Sequence, residues 1–155
     1  MSCDWIAMAA NIATAAGVVF AAVSYYSGAK RSRKELTITA YQQLQETTFN
    51  KINLLKPSEI KEIVQDKTSE QYKDLSACLA NIENFCMAIN EKIYDFEVFD
   101  KLSHGYFDSE KGLLKPRLLP IIESKRTNAS EDYFQNLHII WKRMDKKHDR
   151  KQLLY

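Results

Sequence analysis

An all-α fold, with a single membrane-length helix followed by a helical bundle, is what this sequence predicts. Three observations carry the prediction. Trp5 to Tyr26 is a run of 22 residues without a charge, 18 of them hydrophobic. Beyond it, apolar residues recur at intervals of three and four, and no stretch alternates with period two. Four Gly and three Pro in 155 residues leave few of the turns that an all-β chain needs. With 45% hydrophobic and 27% charged residues the chain is not globally disordered. A net charge of +2 is too balanced to mark a nucleic-acid binder.

The uncharged run comes first in the chain. At 1.5 Å per residue it spans roughly 33 Å as a helix, enough for a hydrocarbon core of about 30 Å. A secretory signal, a buried helix and a membrane anchor are the three readings of such a run. A signal peptide needs a basic leading segment, and this chain opens Met-Ser-Cys-Asp. The reading as a buried helix of a soluble domain is weakened because apolar residues here surround the axis. The anchor is the favoured reading. Asp4 is the one charge on its N-terminal side, and Lys30, Arg31, Arg33 and Lys34 follow it. The positive-inside rule then places everything after Lys30 in the cytoplasm, with the N-terminus outside. The expected division is an anchor over 1–29 and a cytoplasmic helical domain over 30–155.

The anchor has an internal pattern. Ala9, Ala13, Gly17 and Ala21 recur every four residues, a small-residue ridge that lets helices approach closely in lipid and suggests a homo-oligomer interface. Asn11 and Thr14 lie near one face. At that depth they either hydrogen-bond a neighbouring helix or line a pore.

In the cytoplasmic part, Leu36, Tyr41, Leu44, Thr48, Ile52 and Leu55 mark a helix continuing from the anchor until Pro57 ends it. Ser58 to Val64 reads as a short helix. Ser69 caps a long one, whose stripe is Tyr72, Leu75, Leu79, Ile82, Cys86, Ile89 and Ile93. Asp95 to Asp108 is aromatic and irregular, with His104-Gly105 as its turn. Leu113 to Arg126 is a helix with Pro116 in its first turn and a kink expected at Pro120. Ser130, followed by Glu131 and Asp132, opens the last helix, with Phe134, Leu137, Trp141 and Met144 facing the core.

Most familiar chemistry is missing from the motifs. There is no Gly-rich phosphate loop, GxSxG or HExxH, and no Cys/His spacing that suggests zinc, so no metal or cofactor is implied. Cys78 and Cys86, eight apart on the long helix, read as reduced core thiols. Glu83 lies beside Ile82 and Cys86; if that face is buried it needs a cationic partner, and Arg126 and Arg143 are the candidates. One arrangement is left. Arg143 to His148 is an Arg-x4-His element on the last helix, amid Lys142, Lys146, Lys147, Arg150 and Lys151. A guanidinium clamps phosphate and an imidazole titrates near neutrality, so the pair suits phosphodiester chemistry. Five helical steps set the two side chains about 140° apart, however. Catalysis, a structural or ligand-sensing role, and ordinary surface residues all remain open for Arg143 and His148.

This Arg-x4-His element resembles the signature of the HEPN superfamily, small helical bundles many of which cleave RNA. There, two copies of the motif meet across a dimer. The whole layout of anchor, basic stop, helical domain and C-terminal motif resembles the small membrane accessory proteins of RNA-targeting type VI-B CRISPR systems. Asn81-Ile82-Glu83-Asn84-Phe85 and Leu119-Pro120-Ile121-Ile122 to Arg126 also resemble a group of N-terminally anchored bacterial helical proteins. The accessory-protein resemblance implies a homo-oligomeric ring in the bacterial inner membrane. Its anchors would form a pore that enhances antiviral defence by an RNA-guided effector nuclease. A membrane-anchored HEPN-type ribonuclease or toxin acting on RNA is the alternative. Met144 stands where the superfamily carries a polar residue after its Arg.

Overall fold

In the computed structural model, residues 3–103, 105–107, 112–125 and 134–152 are described, and the side chains of 20–103, 105–107, 112–125 and 134–147. These residues are all helical or connecting, with no strand among them. Helix α1 (Cys3–Leu44) is one unbroken helix of 42 residues. Every residue from Phe20 to Leu36 on it is exposed, and Thr37 is the first that the bundle covers. Among the described residues no helix is long and apolar enough to cross a membrane. Residues 5–19 of the uncharged run belong to α1, but their side chains lie outside the described set.

The buried face of α1 differs from the expected one at its first position. Leu36 is half exposed, and Thr37 is buried in its place. Thr37, Tyr41, Leu44 and Thr48 follow helical spacing, and the Thr37 hydroxyl is satisfied twice. It donates to the Arg33 carbonyl (2.8 Å) and accepts from the Asp95 N–H (2.7 Å). A buried hydroxyl with both functions paired carries no desolvation penalty. A π-turn, Gln45–Phe49, then inserts a residue, and the Asn50 N–H reaches back to the Gln45 carbonyl. The extra residue turns both Thr48 and Phe49 inward.

Helix α2 (Asn50–Asn53) completes this segment, and Pro57 begins the next element rather than only closing the last. It occupies the first position of α3 (Pro57–Ile63), where its missing N–H has no partner to lose, and the Glu59 carboxylate accepts from the Lys56 N–H at 2.7 Å. Helix α4 (Glu70–Asn90) starts at the Ser69 cap as expected, with the Tyr72 N–H bonded to the serine hydroxyl. Its stripe from Tyr72 to Ile89 is buried. Ile93 is not part of it: the helix has ended, Lys92 turns left-handed (φ 60°), and Ile93 is exposed.

The aromatic stretch after α4 is not irregular. It forms α5 (Phe96–Ser103), N-capped by Asp95, whose carboxylate accepts from the Val98 N–H (3.0 Å). Phe99 is fully buried and edge-packed on Tyr41 (centroids 6.0 Å), Phe85 (5.5 Å) and Phe107 (4.9 Å). Aromatic crowding thus marks the centre of the core. Gly105 turns the chain at φ 77°, where only a residue without Cβ is unstrained. Helix α6 (Lys115–Lys125) begins two residues later than expected and runs on through Pro120. Helix α7 (Gln135–Gln152) buries Leu137, Trp141 and Met144 as expected, and Ile140 besides. Ser130, Glu131, Asp132, Arg126 and His104 lie outside the described residues.

Candidate functional site

The Arg-x4-His helix is the natural place to look for chemistry, and the structure gives its Arg a packing partner. The Arg143 guanidinium lies over the ring of Phe96 on α5, 3.7 Å from the centroid. The Lys147 ammonium flanks the same ring at 5.5 Å. Lys147 also pairs with Glu97 and, at 2.9 Å, with the buried Asp100. Burial pulls the Lys147 ammonium down, but hydrogen bonds to Asp100 and Glu97 outweigh it and hold the group above its ordinary value. These contacts clamp α7 onto α5. Lys142 and Lys146 are exposed. The backbone of His148 is helical, and its side chain lies outside the described set. The structure therefore shows Arg143 engaged on Phe96, while the geometry of the Arg–His pair lies outside the described side chains.

Of the two cations expected at Glu83, Arg143 lies instead on Phe96 and Arg126 is outside the described residues. The Glu83 carboxylate accepts from the Asn136 and Leu137 backbone N–H groups and from the Asn136 side-chain amide, each at 2.9 Å. The free donors and positive end of the α7 dipole do the work expected of an arginine. Asn90 adds a bond to the Asn136 side chain at 2.9 Å. Helix α7 is thus held near its start by α4 and near its end by α5. A lone acid inside an apolar stripe was the signal for the first contact. Nothing in the spacing of Glu97 and Asp100 from Lys147, 50 and 47 residues on, announced the second.

Cys78 and Cys86 are buried free thiols, as expected. Burial raises both pKa values, that of Cys86 strongly, with the Glu83 charge adding to it. Neither is poised as a nucleophile. Among the described residues no three or more His, Cys, Asp or Glu side chains could hold a metal ion.

No family model, curated protein or solved structure matches the chain.

The remaining expected residues lie on α1. Ala9, Asn11, Ala13, Thr14 and Gly17 fall on its helical backbone with side chains outside the described set, and Ala21 is exposed. Phe20, Tyr25 and Tyr26 are each more than 70% exposed. No part of the described bundle covers these apolar side chains.

Proposed function

We propose that the chain is a homo-oligomeric membrane effector of the bacterial inner membrane. Copies associate through the ridge of Ala9, Ala13, Gly17 and Ala21. Their anchors surround a pore lined by Asn11 and Thr14, and the cytoplasmic HEPN-like bundle controls it. In this reading it supports antiviral defence by an RNA-guided effector nuclease through perturbation of the membrane.

One observation carries the reading: α1 is continuous from Cys3 to Leu44, so the uncharged run and the bundle core share one rod. Thr37, Tyr41 and Leu44 are buried at the bundle end of that rod. Helix α5 touches it through the Asp95–Thr37 hydrogen bond, and α7 grips α5 through Lys147 and Arg143. A displacement of the bundle is transmitted to the anchor without a flexible joint among the described residues. The Arg143–Phe96 stacking gives the motif a structural task and lends no support to the ribonuclease alternative.

The test is the oligomeric state of the full chain in detergent, with leakage from liposomes after reconstitution. A ring of several copies that leaks dye, and Gly17→Leu losing both properties, is the expected result. A monomer, or RNA cleavage by purified protein without leakage, would overturn the proposal.

A further inference from the structure

The π-turn of α1 and the middle of α4 border a groove of about 350 Å³, within the range of small-ligand sites. Its walls carry Gln43 and Thr47 from α1 and Asn81 and Asn84 from α4, and its floor includes Phe85 and Tyr94. We propose that this groove binds the adenine base of a purine nucleoside or nucleotide. The inference is independent of the membrane reading.

Three features select that chemistry. No charged residue lines the groove, which disfavours a phosphate, a metal or a peptide terminus as the group held inside. Three carboxamides converge there, and each presents a donor and an acceptor side by side. Asn and Gln pair in this way with the exocyclic amine and adjacent ring nitrogen of adenine, whereas guanine is read by Arg or Lys. The third feature is the aromatic floor. Phe85 and Tyr94 lie with centroids 5.1 Å apart and planes tilted by 38°, next to the buried Leu44. Phe85 is buried and Tyr94 half-buried, so a flat, polarisable ring entering the groove stacks chiefly on Tyr94.

The local backbone prepares the site. The Thr47 hydroxyl, which lines the groove, donates to the Gln43 carbonyl at 2.7 Å and keeps its acceptor capacity. Asn81 makes only a long contact (3.4 Å) with the Thr48 hydroxyl. Gln43, Asn81 and Asn84 are exposed. π-Turns are rare and recur at functional positions, because the inserted residue re-aims neighbouring side chains.

Saturation-transfer NMR on the full chain in detergent, with adenosine, cytidine and glucose as probes, tests the proposal. Saturation should reach the adenine H2 and H8 protons about fivefold or more above the cytidine ring protons. Asn84→Leu and Gln43→Leu, both at exposed helical positions, should each abolish the adenosine signal without moving the thermal unfolding midpoint. No signal from adenosine, an equal signal from cytidine or glucose, or a signal unchanged in both variants would overturn it.

Discussion

Helix α1 passes through two environments that use its side chains in opposite ways. From Phe20 to Leu36 every residue is exposed, the aromatic Phe20, Tyr25 and Tyr26 included. From Thr37 onward the same helix has a buried face at intervals of four and three, and a threonine opens it. A stripe arises only where one side of a helix meets a core. Between Phe20 and Leu36 there is none, because no described part of the bundle covers these residues. Hydrophobicity is thus no guide to burial along α1: Phe20 is 75% exposed and Thr37 is fully buried.

The sharpest test of this contrast uses aromatic truncation in both regions. Phe99→Ala removes the ring on which Tyr41, Phe85 and Phe107 pack, and should cost about 3–5 kcal/mol of bundle stability. Phe20→Ala should change that stability by no more than about 0.5 kcal/mol. Thermal or denaturant unfolding of the full chain in detergent measures both. Equal losses would mean that α1 packs on the bundle along its whole length.

Much of the bundle was legible in the sequence because it follows local rules. The Ser69 cap, the α4 stripe to Ile89 and the core face of α7 each depend on spacing within one helix. What was not legible depends on partners far along the chain. Thr37 displaces Leu36 because Asp95, 58 residues on, supplies a donor. Helix α5 was hidden because its bulky aromatics, weak helix formers, are selected for the core they build. Glu83 announced a part-buried acid, but two of its three donors are backbone N–H groups of a helix N-terminus, which no side chain in a sequence marks. The Arg-x4-His spacing was visible, while its geometry followed from Phe96, 47 positions before Arg143.

Tyr41 carries the comparison into pH dependence. Burial, with a smaller push from Tyr106, raises its phenol from 10.0 to about 12. The folded state keeps this proton where the unfolded chain loses it, so the contribution is complete below pH 10 and lost as pH rises to 12. The two raised thiols act with the same sign, beginning near the ordinary cysteine value of about 8.5. Unfolding followed from pH 8 to 12 should therefore show falling stability. Tyr41→Phe should flatten the upper part of that fall and leave the lower part, where the thiols act, in place.

The smallest effect separates packing from chemistry on α7. If Arg143 serves the bundle by stacking on Phe96, Arg143→Ala should cost about 0.5–1 kcal/mol of stability. Arg143→Lys should recover little, because a compact ammonium lacks the flat face that lies on the ring. His148→Ala should not share this pattern. If instead Arg143 and His148 act together on a phosphodiester, both alanine variants should abolish the same RNA cleavage and Arg143→Ala should leave stability unchanged. The 3.7 Å stacking uses the face of the guanidinium and leaves its in-plane N–H donors at the exposed edge, so it is the stability and cleavage readouts together that separate the two outcomes.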